Sequence, residues 1–247
     1  MTPGRLLLLP SFVADSPADE VLPLRVLETA RATRHFLAEN AKSARAFLKA
    51  IAHPVAMQEL GIVEIGHAPE AAHIDDWLRP LRDGHDVALV SEAGCPAVAD
   101  PGASIVARAH DLGFPIHPLV GPSSLLLALM ASGLEGQRFR FVGYLPQDAS
   151  QLASAINALE EVSSAGETQL FIETPYRNER LFSALLKHCS QATRLTVAVG
   201  LTGTDESIAT RTIETWRKLA GSELPVLRNR PAVFALLATT ERVVRKK

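Results

Sequence analysis

Residues 85–134 read HDVALVSEAGCPAVADPGASIVARAHDLGFPIHPLVGPSSLLLALMASGL, and this stretch decides the fold. Asp86–Val90 is an apolar run too short for a helix and rich in Val and Leu, which predicts a buried strand. It stops at Ser91-Glu92-Ala93-Gly94-Cys95-Pro96. After Asp100-Pro101-Gly102, an apolar-periodic helix is expected over Ile105–Leu112. Phe114–Leu119 predicts a second buried strand, ended by Gly121-Pro122-Ser123-Ser124 and followed by a helix over Leu125–Ser132. Two strands thus deliver two glycine-containing loops to one edge of one sheet. In open α/β sheets ligands bind outside the carboxyl ends of the strands. Glycine admits a ligand close to the backbone, and proline stiffens the loop. Two ordinary strand-to-helix turns would have the same composition, and neither phosphate-binding fingerprint, GxGxxG or GxxxxGKS/T, is present. The residues alone give a binding cleft without a named ligand.

The surrounding chain narrows the class. At 247 residues it is long enough for one large or two modest domains, and 47% hydrophobic with 21% charged residues supports a sizeable core. A net charge of −2, from 25 basic and 27 acidic residues, argues against strong non-specific nucleic-acid binding but leaves room for a local patch. Cys95 and Cys189 are too few for a disulfide framework or a zinc site. Cys95 can be read as a reactive thiol or as a small residue filling a tight turn. The opening MTPGRLLLLPSF has no cleavage-like region, and no stretch approaches the roughly 20 apolar residues a spanning helix needs. A cytoplasmic protein without membrane partners is expected.

Upstream, Arg5–Leu9 predicts a strand ending at Pro10-Ser11-Phe12, and Asp15–Pro23 a linker. Leu24–Leu37 predicts a helix. Asn40 suits an N-cap for a helix over Ala41–Ile51, with Lys42 and Arg45 on its solvated face. Gly61–Gly66 predicts a strand, and His67-Ala68-Pro69-Glu70 opens a helix from Ala71 to Leu81. The spacing of His67, His73, Glu70 and Asp75 fits no standard ligand pattern, so no metal is expected. Downstream, strands are expected over 139–144, 168–173, 193–200, 208–213 and 233–238, and helices over 149–162, 176–188 and 215–219. The closing Arg242, Arg245, Lys246 and Lys247 read as a solvated basic tail. Strand and helix alternate in the first half, giving a parallel sheet; the second half mixes crossovers and hairpins, giving a mixed sheet. The expected architecture is two α/β domains, residues 1–120 and 121–247, with a ligand cleft between them.

Several motifs together resemble the tetrapyrrole methylase superfamily of S-adenosylmethionine-dependent methyltransferases. SEAGCPAVADPG is similar to an S-D-A-G-T-P…D-P-G signature, and PLVGPSSLLLALMASGL to a P-L-P-G-P…A-L…S-G-L signature. Gly143-Tyr144-Leu145-Pro146, Glu173-Thr174-Pro175-Tyr176-Arg177 and Arg230-Pro231-Ala232-Val233 match further segments. The resemblance is nearest the branch of 2′-O-ribose methyltransferases of small-subunit ribosomal RNA. It implies the cofactor S-adenosyl-L-methionine, a homodimer and an RNA substrate. A tetrapyrrole or other small molecule, or a non-catalytic cofactor-binding scaffold, are the alternatives.

The resemblance places Gly94, Pro96, Asp100, Pro122, Ser123 and Ser124 at the cofactor, joined by Tyr144, Leu145, Leu201, Pro231 and Ala232 of the second domain. Ala38-Glu39-Asn40-Ala41-Lys42 stands where the branch has an A-E-D-T-R-like substrate motif, so Asn40 and Lys42 are candidate substrate contacts with two residues changed. Arg177 could bind an anionic substrate or anchor a helix start. Ser11–Ala14 lacks the glycine of the branch's P-T-P-I-G-N-L-like segment, and the Leu201–Glu206 turn departs from its K-T-W-E-like pattern. Methyl transfer from a sulfonium needs alignment and exclusion of water, without metal or covalent intermediate. A hydroxyl acceptor also benefits from a base. Glu92 is the first candidate and Glu39 the second, with Asp100 and Glu206 behind them.

Overall fold

The computed structural model describes residues 2–238. The basic tail of Arg242, Arg245, Lys246 and Lys247 lies outside those residues. The chain divides into two compact units, the first ending at Ser123 and the second beginning at Ser124.

The first unit runs β1 (Leu6–Leu9), α1 (Ala18–Val21), α2 (Leu24–Ala32), β2 (His35–Ala38), α3 (Ala41–Ala50), β3 (Gly61–Glu64), α4 (Ala71–Trp77), α5 (Arg79–Arg82), β4 (Val87–Val90), α6 (Ala103–Asp111) and β5 (Ile116–Pro118). Its strands form one parallel sheet in the order β3-β2-β4-β1-β5. Alternation along each strand splits the apolar side chains between the two faces. Leu7, Leu9, Phe36, Ala88 and Val90 pack with Val26 and Leu27 of α2 and Phe47 and Leu48 of α3. Leu6, Leu37, Val87 and Leu89 pack with Ile74, Leu81, Ile105 and Ala109 from α4, α5 and α6. Helices thus cover both faces, which is why β1 and β4 read as continuous apolar runs.

This arrangement sets the site. β2 feeds α3 toward β3 on one face, while β4 feeds α6 toward β5 on the other. β2 and β4 are neighbours, with Ala38 level with Val90, so the loops leaving them diverge. Such a switch point opens a crevice at the carboxyl ends of the strands.

The second unit runs α7 (Ser124–Ser132), β6 (Phe139–Tyr144), α8 (Ala149–Ser163), β7 (Thr168–Glu173), α9 (Asn178–His188), β8 (Arg194–Val199), β9 (Ser207–Thr212), α10 (Ile213–Lys218) and β10 (Ala232–Leu237). The sheet order is β6-β7-β10-β8-β9, parallel between β6 and β7 and antiparallel elsewhere. Its core holds a stacked pair, Phe171 and Phe234, with ring centroids 5.7 Å apart. The buried Trp216 donates its indole N–H to the Leu195 carbonyl at 2.9 Å.

Four elements differ from the sequence reading. The expected linker over Asp15–Pro23 contains α1. The strand expected to be buried over Phe114–Leu119 is the short, largely exposed edge strand β5, because it has a neighbour on one side only. Two helices also change. The expected helix over Leu24–Leu37 ends at Ala32, where Thr33 turns extended, and His35–Ala38 is a strand. Phe36 and Leu37 fit helical spacing, but a four-residue apolar segment buried on both faces carries no period to tell strand from helix. The expected helix over Ala71–Leu81 divides at Leu78, because Pro80 has no N–H with which to continue the ladder. Other boundaries move by a residue or two; α9, for instance, starts at Asn178 rather than Tyr176.

Candidate functional site

The loops leaving β1, β4 and β5 pack closely against one another. The Ser11 N–H donates to the Gly94 carbonyl at 2.9 Å. A Cβ on Gly94 would stand 3.4 Å from the Pro122 carbonyl oxygen, and Gly94 has φ +72°. A Cβ on Gly121 would stand 2.3 Å from Pro10 Cβ. Gly94 is favoured by its left-handed backbone, and Gly121 by the Pro10 ring that fills the place of a side chain. The β4–α6 loop is also strained: Ala97 and Ala99 hold φ of +63° and +65°, between Gly94 and Gly102. Left-handed non-glycine residues persist where the surroundings over-determine them, commonly at ligand sites.

Carboxylates gather at this edge. Glu39 leaves β2, while Glu92 and Asp100 belong to the loop leaving the neighbouring β4. Glu39 is 8% exposed, and its Oε1 accepts from His67 Nδ1 at 2.6 Å while Oε2 is buried without a partner. Glu92 is exposed, and its Oε1 accepts from Ser43 Oγ at 2.8 Å. Asp100 is half-buried; burial, then the Glu39 charge, pushes its carboxyl up to about 6. Ser11 Oγ, also buried, has no partner among the described residues. Cys95 donates weakly to the Pro122 carbonyl at 3.5 Å, and burial pushes its thiol up, away from a reactive thiolate. It is the turn-filling residue of the two readings.

Asn40 is an N-cap, as its place before α3 suggested: its side-chain oxygen accepts from the N–H groups of Lys42 and Ser43 at 2.9 and 3.1 Å. Lys42 is exposed beside it. Phe12 stacks obliquely on Phe47 at 5.2 Å, occupying the loop that lacks the expected glycine.

In the second unit the remaining candidates share one sheet edge. Tyr144 ends β6, Ala232 starts β10 level with Glu173 and Val199, and Leu201 follows β8. Leu145 and Leu201 are buried, whereas Tyr144 is 56% exposed. The Gly200 N–H donates to the Pro231 carbonyl at 3.0 Å, and Arg230 Nη2 pairs with Asp205 at 2.7 Å. Glu206 accepts from the Thr202 N–H at 2.8 Å, which commits it to the turn. Arg177 pairs with the buried Glu173 carboxylate and donates to Thr174 Oγ1 at 3.1 Å. Around a small crevice bounded by Pro146, Gln147, Glu173, Arg177 and Arg180 the charged groups are engaged, since Arg180 also donates to the Gln147 carbonyl at 2.7 Å. Arg177 therefore anchors the start of α9.

Sequence reasoning set His67 aside and passed over Ser43, which holds Glu92. His67 lies 28 residues from its partner Glu39, and only the pairing of β2 with β3 aligns them. A histidine just past one strand and an acid just past another was the available signal.

The first unit is thus a doubly wound domain with an acidic, partly unsatisfied crevice at its switch point. Residues 17–216 match the family of Tetrapyrrole (Corrin/Porphyrin) Methylases, and the chain belongs to that family. It is 37% identical over 133 residues to a Mesorhizobium japonicum protein named ribosomal RNA small subunit methyltransferase I, a match covering 54% of this chain and 44% of that one. A Bacillus subtilis protein of the same name is 30% identical over 184 residues, covering 74% of this chain and 59% of the relative. The matches thus span about half the length of these curated relatives. The crystal structure of uroporphyrin-III-C-methyltransferase from Thermus thermophilus shares the fold, with a TM-score of 0.54 and 19% identity over 95% of this chain and 92% of that one. Among the described residues, no helix is long and apolar enough to cross a membrane.

Proposed function

We propose that this protein is an S-adenosyl-L-methionine-dependent methyltransferase that methylates a ribose 2′-hydroxyl of RNA, with its cofactor at the β2/β4 crevice. The observation that carries the reading is the convergence of Glu39, Glu92 and Asp100 at that switch point, in a chain of the methylase family. The names of its relatives support the ribosomal substrate.

The residues fit this cofactor. A sulfonium is cationic, and the crevice offers carboxylates while Ser11 Oγ and Glu39 Oε2 await partners. When bound, the cofactor supplies a methyl group already activated for in-line displacement. Gly94, Pro96, Asp100, Pro122, Ser123 and Ser124 are assigned to cofactor contact, with Tyr144, Leu145, Leu201, Pro231 and Ala232 in the second unit. Gly94 and the strained alanines hold the backbone where a ligand can approach it. Glu39 accepts from Nδ1 of His67, which leaves Nε2 with no partner among the described residues and able to take the proton of an acceptor hydroxyl. Glu39 thus serves as the positioning residue for this proton transfer, while Glu92, steadied by Ser43, would add negative charge to a crevice that takes a cation. Asn40 and Lys42 face substrate in this reading. Arg177, which the sequence offered for the same role, is held by Glu173. The exposed Leu126 and Met130 of α7 support a homodimer, and the substrate places the protein in the cytoplasm.

Calorimetric titration with S-adenosylmethionine and with S-adenosylhomocysteine, across pH 5 to 8, tests the reading. Asp100 gains its charge as pH rises through about 6. The cationic compound should therefore bind more tightly over that window, while the neutral sulfide changes less. Asp100→Asn should flatten the difference and weaken the cationic ligand by about tenfold, the scale of one partly screened charge at close range. Absence of binding to both compounds in folded protein would sink the proposal.

A further inference from the structure

The helix α3 carries three cations on one face and no acid anywhere along it. Lys42, Arg45 and Lys49 fall at i, i+3 and i+7, within about 60° of arc and over about 10 Å of helix. All three are exposed, on the side opposite the buried Ala44, Phe47 and Leu48. Among the described residues none of them has an ion-pair partner. Most other arginines of the first unit do: Arg5 with Asp86, Arg79 with Asp76, and both Arg82 and Arg108 with Asp75.

This arrangement works against the helix that bears it. Like charges at i,i+3 and i,i+4 repel, each pair destabilising a helix by a few tenths of a kcal/mol. Lys42 lies in the first turn, where the helix dipole disfavours a cation, and the helix carries no acid of its own there; the carboxylate at that end, Glu64, is engaged by the Ala41 N–H. The α3 backbone offers no anion site of its own, because Asn40 takes the Lys42 and Ser43 N–H groups and Glu64 takes that of Ala41 at 2.9 Å. The side chains supply the charge. The stripe starts beside the crevice: Ser43, next to Lys42, is the residue that bonds Glu92.

We infer that Lys42, Arg45 and Lys49 form a track for the phosphate backbone of a single-stranded RNA, guiding it along α3 to the acidic crevice. The inference rests on the RNA-methylating reading above and extends it to a docking surface. A polyanion would relieve the repulsion along α3, and a sugar–phosphate chain is a polyanion with charges spaced along a line. A compact, planar polycarboxylate such as a tetrapyrrole would not follow a helix face.

The test uses the full chain and its Arg45→Gln/Lys49→Gln double variant, which leaves the crevice intact. Binding of a fluorescein-labelled single-stranded oligoribonucleotide is measured by anisotropy over a salt series, beside calorimetric binding of S-adenosylmethionine. The expected result is weaker RNA binding with a salt slope reduced by about 0.7 for each cation removed. Cofactor affinity should be unchanged, and the melting temperature equal or slightly higher as repulsion is relieved. If S-adenosylmethionine binds but RNA affinity and slope are the same in both proteins, the track is wrong while the methyltransferase reading stands. Binding of a polycarboxylated porphyrin in place of the RNA would also overturn it. If the parent chain binds no cofactor, the underlying reading fails, whatever the RNA result.

Discussion

The two sheet edges that gather the candidate residues are built on opposite principles. In the second unit each charge at the edge is spent internally: Arg177 on Glu173, Arg230 on Asp205, Glu206 on the Thr202 N–H. In the first unit, charge accumulates. Glu39 keeps a buried oxygen without a partner, Asp100 is pushed up to about 6, and Glu92 is held only by a serine hydroxyl. A satisfied edge stabilises its own loops. An unsatisfied one lowers stability and reserves its interactions for something else, a common trade-off at functional sites.

That contrast can be broken most sharply at Arg177. Arg177→Ala leaves the Glu173 carboxylate buried and unpaired, which should cost about 3 kcal/mol or more of second-unit stability. Chemical denaturation measures it; an unchanged midpoint would mean that the second edge is not the structural one. Gly94→Val asks the converse question of the first edge. The φ of +72° strains any residue but glycine, a β-branched one most, and the side chain would press toward Pro122 and Val13. S-adenosylmethionine affinity should fall at least about 100-fold through misplaced loops. Full-strength binding by this variant would remove Gly94 from the site. By contrast, Gly143→Ala at φ +74° meets no atom within 4 Å, so only backbone strain of about 1 kcal/mol is expected.

Asp100 gives a smaller effect with a definite sign. Its carboxyl titrates near 6 in the folded chain against an ordinary value of 3.8, so the native state holds a proton that the unfolded chain releases. Its contribution is fully favourable below 3.8 and is lost as pH rises to about 6. Thermal melts of Asp100→Asn should show a shallower decline over that window than the parent. The smallest effect is expected from Asn40→Ala, which removes the α3 cap and should cost about 1 kcal/mol. If it weakened RNA binding far beyond that loss, Asn40 would be a substrate contact as well as a cap.

Much of this was legible in the residues. The apolar runs at Leu6–Leu9 and Val87–Val90 announce doubly covered strands, and the glycines after Val90 and Leu119 announce close backbone approach. The motifs around Gly94 and Pro122 point to the methylase family that residues 17–216 match. The Asn40 cap, too, needed only local chemistry. Local sequence governs caps, turns and strands covered on both faces, because each depends on a few neighbouring residues.

Tertiary structure decided what depends on partners distant in the chain. β2 was hidden inside an apparent helix, and only its pairing between β3 and β4 brings Glu39 level with the Glu92 loop. His67 is the surface histidine its sequence suggested, but only the sheet sets it against Glu39. Of the two readings open for Cys95, burial decided for the turn-filling one, and of the two open for Arg177, the nearby Glu173 decided for the helix anchor. The reason in each case is electrostatic. The state of an ionisable group is set by burial and by charges a few ångströms away, and strand order, which no local pattern encodes, chooses those neighbours.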